Sequence, residues 1–345
     1  MSTFSVFLRV LLLALLATAA APLPAADSLP ATSPLKFGSL TVITENDKYL
    51  AGSDRYYTNG FKLSALSAPL DNFTDVSVPA PVRWVATHLS ALVPPGHDAK
   101  LGLSLGQNIY TPADIHTPTP NPADRPYSAW LYVGAAFQSY DLARGVLDTM
   151  DLRLGVVGPA AFGEQIQNGF HDLIHVQHAL GWSHQIHNEL GLVLTFARKW
   201  RRATAGARTG LGADVIPHAA ISLGNVVTAA GTGIAVRAGW RLPADFGTDL
   251  IYPSGDSNSD RPGLSAFLFA AADGRAVARD ITLDGNSFRS SPSVPKKTFV
   301  ADLVMGFAVG GKSWQLSYSQ AVRTKEFRSQ ASDDIFGSVS LTFYY

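Results

Sequence analysis

The 345-residue chain contains no cysteine, so neither a disulfide framework nor a thiolate metal site is open to it. Its 27 acidic and 27 basic residues cancel, which leaves no electrostatic case for a nucleic-acid partner. Past residue 26 no apolar run approaches the roughly 18 residues of a spanning helix. A chain of this kind enters a membrane only as strands. Residues 1–26 hold a lone Arg9, the run "VLLLALLATAAA" and small residues up to Ala26, the pattern of a secretory signal peptide.

What is present is alternation with a period of two. In "FGSVSLTFYY", Val339, Leu341, Phe343 and Tyr345 fall on one face and Ser338, Ser340, Thr342 and Tyr344 on the other. Trp314, Leu316, Tyr318 and Val322 alternate with Gln315, Ser317 and Ser319, and Phe299, Ala301, Leu303, Met305 and Phe307 oppose Asp302 and Gly306. A soluble sandwich also alternates, but its strands are usually about five or six residues long. Several here pass ten, enough to cross a bilayer at about nine to eleven. The expected fold is all-β: a transmembrane antiparallel up-and-down barrel occupying 27–345 as one domain.

Twelve strands are expected, at 36–46, 55–67, 100–110, 126–141, 147–157, 186–202, 208–224, 229–241, 263–277, 297–310, 312–324 and 335–345. Two segments break the alternation. Residues 68–99 leave room for a short helix, and in 158–180 the residues Phe162, Ile166, Phe170, Leu173 and Ile174 recur at helical spacing, so a helix is expected inside that loop. With both termini on the periplasmic side, 47–54, 111–125, 158–185, 225–228, 278–296 and 325–334 all fall on the extracellular rim. Polar clusters distant in the chain then meet at one mouth of the barrel. By the same parity "RKWRR", Arg198 to Arg202, sits at the periplasmic end and reads as an interfacial anchor beside Trp200.

The stretches "TENDKYLAGSDRYYTNG", "GQNIYTPADI", "DRPYSAWLYVG", "GVVGPAAFGEQIQNGFHDLI" and "GWSHQIHNELG" follow one another between Leu40 and Leu190. In that order they resemble the lipid A 3′-O-deacylase family of Gram-negative outer membranes. The resemblance implies a twelve-stranded barrel in the outer membrane that hydrolyses the 3′ ester-linked acyl group of lipid A, or lipopolysaccharide, in the outer leaflet. It implies calcium (Ca2+) dependence, a histidine base and a metal-supported oxyanion. Position by position it selects Asn46 and Asp47, the hydroxyl of Thr58, and the pair Gln167 and His171. One departure concerns a loop lysine that some members carry: Thr117 stands at that spacing, so either Arg125, the first lysine or arginine after Tyr110, or a residue from another loop substitutes, or phosphate recognition differs.

The chemistry of these residue types agrees. Ester hydrolysis needs a base that takes a proton from water, a task suited to histidine, and positive charge or donors where the carbonyl oxygen becomes an anion. Asp47 and Asn46 are the expected metal ligands, since a hard cation prefers oxygen and Asp47 brings a full charge. Gln167 and His171 share a helical face, where Gln167 would orient the imidazole or the substrate. Each residue also has a plainer reading: Asn46 and Asp47 as turn formers, Thr58 as strand filler, and His171, His175 and His178 as solvated histidines or a zinc stripe. An outer-membrane phospholipase and a passive pore are the competing functions. The deacylase reading carries a geometric expectation, namely that the five residues gather at the outer rim beside an opening onto the apolar belt.

Overall fold

The computed structural model describes residues 35–49, 56–70, 73, 78, 80–89, 98–204, 206–247 and 263–345. The proposed leader at 1–26 lies outside them, as does part of the first loop. Twelve long antiparallel strands form the wall, in chain order around the ring: β1 (Phe37–Asn46), β2 (Tyr56–Ser67), β3 (Asp98–Thr111), β4 (Ser128–Asp141), β5 (Val146–Val157), β6 (Glu189–Trp200), β8 (Leu211–Gly224), β9 (Val227–Trp240), β10 (Ser265–Asp280), β11 (Phe299–Gly310), β12 (Trp314–Arg323) and β13 (Asp334–Tyr344). The two-residue β7 (Arg202–Ala203) continues β6 past Arg201 and pairs with the same neighbour, β8. Pairing of β1 with β13 closes the ring, from Ser39 opposite Tyr344 to Asn46 opposite Gly337. Closure removes the free edges that an open sheet would expose to lipid.

The expected strand boundaries hold to within about three residues. The main difference is β10, which runs on to Asp280 and is followed by a single helical turn, α3 (Ile281–Asp284), capped by the Asp280 carboxylate on the Thr282 amide. The non-alternating 68–99 segment does contain a helix, α1 (Ala80–Leu89). Its Val82 packs with Phe73 and Val78 on Leu101, Phe137 and Met150 near the termini-side rim.

Wall faces separate as a lipid-embedded barrel requires. Along β11 the exposed residues are Phe299, Ala301, Leu303, Met305 and Phe307, and the buried ones Val300, Asp302, Val304 and Ala308. Leu190, Leu192, Leu211, Leu223, Leu268 and Val133 continue the exposed apolar belt around the ring. The interior is crossed by ion pairs instead. Near the termini, Arg237 binds Asp214 and Asp245 at 2.6 and 2.5 Å, while Phe246 packs on Tyr140 and Leu147. In "RKWRR", Arg198 clasps Asp148 and Arg201 clasps Asp214, so these cations tie strands together and are not free anchors. An interior cavity of about 280 Å³ remains between the two mouths.

Candidate active site at the outer face of the wall

Segments of three connections of the rim opposite the termini, 47–49, 112–127 and 158–188, follow the ends of β1, β3 and β5. Which side of the wall their residues occupy follows from alternation. Glu45, Tyr57, Asn108 and Tyr110 line the interior cavity, so their chain neighbours Asn46, Gln107, Ile109 and Thr111 point outward. Between Tyr57 and Asn59 the pairing of β2 with β3 slips by one residue, a β-bulge that leaves Thr58 as the extra residue. The Thr58 hydroxyl meets that of outward-facing Thr111 at 2.6 Å. These outward polar residues are nevertheless buried, and over Gln107 lies the 158–188 segment.

The cover is α2 (Gly163–Ile174). Its start sits directly on the wall: a Cβ at Gly163 would lie 2.5 Å from the Trp182 ring and 2.6 Å from Ala129 Cβ. Ile109, Ala129, Ala161 and Trp182 form the packed base, joined by Ile166 and Leu131. Gln107 reaches up from β3 and donates to the Ala161 carbonyl at 2.6 Å. The helix turns Gln167 (4% exposed) and His171 (2%) inward. Its exposed residues are mixed: Leu173 is 67% exposed and Phe170 and Ile174 each 40%, beside exposed Glu164, Gln165 and Asp172.

Hydrogen bonds fix the chemistry of both inward residues. Trp182 Nε1 can only donate, and it lies 2.9 Å from the Gln167 side chain, so the contacted atom is the carbonyl Oε1. Gln167 Nε2 is left buried, with no hydrogen-bond partner among the described residues. His171 Nδ1 lies 2.7 Å from the Gln177 carbonyl, which can only accept. The neutral ring therefore carries its proton on Nδ1 and its lone pair on Nε2.

At the strand ends the Asn46 side-chain oxygen Oδ1 accepts from the Lys48 amide at 2.8 Å, forming the turn in which Asp47 is fully buried. Close approach to β13 holds that turn: a Cβ at Gly337, the partner of Asn46, would lie 2.5 Å from Tyr49 Cβ. All five residues singled out by the sequence thus occupy one rim in buried positions. Asn46, Asp47 and Thr58 come from adjacent strand ends, and Gln167 and His171 from the helix laid over the neighbouring pair.

Two sequence readings change. Arg125 is no substitute for the loop lysine, because its guanidinium is fully buried, bound to Glu326 at 3.0 Å and to the Thr282 hydroxyl, and stacked over the Tyr110 ring. Beside it, Glu326 would be pushed up by burial, but Arg323, Arg125 and Arg275 hold its carboxyl below the ordinary value. The histidine stripe breaks up: α2 ends at Ile174, His175 takes a left-handed conformation (φ 57°) as the C-cap, and His178 pairs with Asp172 outside. Residues that sequence reasoning missed are Gln107, Thr111 and Trp182. The first two were detectable as polar interruptions of an outward face that otherwise reads Leu101, Leu103, Leu105 and Ile109.

The solved structure of LpxR from Salmonella typhimurium superposes with a TM-score of 0.69 at 23% identity, covering 89% of this chain and 100% of that one. The β domain of the Bordetella autotransporter BrkA gives 0.41 at 10% identity, over 90% and 99% of the two chains. The outer membrane enzyme PagL gives 0.23 at 11%, over 44% and 88%. No curated protein sequence matches. The family described as outer membrane protein LpxR matches residues 10–345, nearly the whole length, and the chain belongs to that family of Gram-negative outer-membrane barrels.

Proposed function

We propose that the protein is an outer-membrane esterase that hydrolyses the 3′ ester-linked acyl group of lipid A. The observation that carries this reading is the position of the polar cluster: on the membrane side of the wall, beside a helix that exposes Phe170, Leu173 and Ile174, and away from the lumen. Two residues further along β4 from Leu131, Val133 is already exposed in the apolar belt (57%). Lifting a lipid into water exposes its methylenes at about 0.8 kcal/mol each. A site against the leaflet receives the ester while the chains stay in hydrocarbon.

His171 is the base. Its Nδ1–H is anchored on Gln177, so Nε2 takes a proton from water as that water attacks the ester carbonyl. The tetrahedral oxyanion then needs positive partners, and Gln167 Nε2 is a buried donor ready for one. Collapse breaks the bond to the sugar oxygen, which recovers the proton from Nε2, giving a sugar hydroxyl and a carboxylic acid that releases its proton to water. Asp47, Asn46 and Thr58 present a carboxylate, an amide carbonyl and a hydroxyl, an all-oxygen donor set that fits calcium. Bound there, calcium would neutralise charge developing on the ester oxygen. Asn46 retains a second lone pair beyond its bond to Lys48.

Mass spectrometry of lipid A from cells carrying the parent, His171→Ala or no protein tests the reading. The parent should remove one acyl chain and His171→Ala should lose about 10² to 10⁴ in rate while still folding as a barrel. Unchanged lipid A together with shortened glycerophospholipids would replace the proposal with a phospholipase.

A further inference from the structure

Each outward residue of the candidate site has a chain neighbour pointing into the lumen, and three of those neighbours are bonded to one another. Tyr57 Oη donates to Glu45 Oε2 at 2.7 Å, and Asn108 Nδ2 donates to Tyr57 Oη at 2.8 Å. This chain crosses β1, β2 and β3 on the inner face of the wall. On the outer face, Asn46 follows Glu45, Thr58 follows Tyr57 and Gln107 precedes Asn108. Tyr57 is fixed in other ways too: its ring packs edge-on against Phe336 at 4.9 Å and lies 5.3 Å from Tyr110. Its backbone amide, released from the ladder by the bulge, is caught by Asp334 Oδ2 at 3.2 Å.

We propose that Tyr57 is a positioning residue for the outward site, acting through the hydroxyl that straps β1 to β3 behind it. The physical reason lies in the bulge. Where two residues oppose one, the register can slip, and a slip of one residue turns side chains to the opposite face. Binding Tyr57 to Glu45 on one side and Asn108 on the other holds Tyr57 in the lumen and keeps Thr58 outward against Thr111. No strap residue touches the substrate; the strap sets where the residues on the other side of the sheet stand.

The inference rests on the proposed esterase reading for its kinetic consequence, but not for its geometric one. Tyr57→Phe keeps the ring contacts and removes both hydroxyl bonds. Per folded barrel, kcat should fall about tenfold, with KM for lipid A within about twofold of the parent. Glu45→Gln, which retains an acceptor oxygen, should stay close to the parent, Glu45→Ala should match Tyr57→Phe, and the double variant should be no worse than either. A hydroxyl needed only for stability would lower the yield of folded barrel and leave kcat per barrel unchanged, and that result, or additive losses, overturns the proposal. Hydrogen exchange provides a readout without substrate: the amides from Tyr56 to Phe61 should exchange faster in Tyr57→Phe. Unaltered exchange sinks the strap whatever the substrate is. Faster exchange in a protein whose parent leaves lipid A intact sinks the esterase reading and leaves the strap standing.

Discussion

At the scale of single residues, the site separates charge from geometry. Asp47 is the one full negative charge among the proposed oxygen ligands, while Asn46 already gives a lone pair to its own turn. Asp47→Ala should therefore raise the calcium needed for half-maximal deacylation more than Asn46→Ala does. A calcium titration in which Asp47→Ala follows the parent curve would remove Asp47 from the ligand set. Identity of the polar residues was legible because Asn46, Asp47, Thr58, Gln167 and His171 sit in recognisable stretches. What each atom does was not. The bond from Trp182 that turns the Gln167 amide, and the Gln177 carbonyl that fixes the His171 proton, come from residues fifteen and six positions away, across a loop with no periodicity to read.

At the scale of elements, the strands were legible to within about three residues because lipid outside and small polar groups inside enforce alternation along them. Helix α2 was legible as a helix, yet its orientation runs against the rule for soluble proteins, in which the apolar stripe faces the core. Here the buried residues are Gly163, Gln167 and His171, Ile166 joins the packed base, and Phe170, Leu173 and Ile174 are exposed beside Glu164, Gln165 and Asp172. The bulge at Thr58 left no mark in the pattern either, since one extra residue at a strand end looks like a boundary error. Gly163→Val would drive two methyl groups into Trp182 and Ala129. It should lower deacylation by at least about tenfold while the barrel still folds, because a displacement of the helix by an ångström is enough to misplace the base. Electrophoresis of unheated against heated protein, beside the activity assay, separates the two effects. Leu173→Lys places a charge on the lipid side of α2. Near an interface this costs up to about 1 kcal/mol, so KM measured in vesicles should rise about fivefold with kcat little changed. An unchanged KM would mean that the outer stripe does not meet the bilayer.

At the scale of the whole molecule, the barrel offers two compartments, and the chemistry proposed here uses the one outside the wall. Ala229 lines the interior cavity. Ala229→Phe, which fills part of that space, should leave deacylation within about twofold of the parent; a large loss would show that substrate or product passes through the lumen. The number of strands, their parity and the gathering of distant loops at one rim could all be inferred from sequence. The choice of compartment could not, because it depends on how the 158–188 segment folds over the wall, a matter of tertiary contact between Gly163, Ala129 and Trp182. The outward stripe of α2 has a further consequence for when the molecule can work. Before insertion there is no hydrocarbon for Phe170, Leu173 and Ile174 to face, nor any to hold the acyl chains of a substrate beside them. On the proposed reading, a chain in transit through the periplasm therefore behaves as a zymogen without a propeptide: the membrane that holds its substrate is also what keeps the acyl chains out of water during the reaction, and lipid A met on the way is spared.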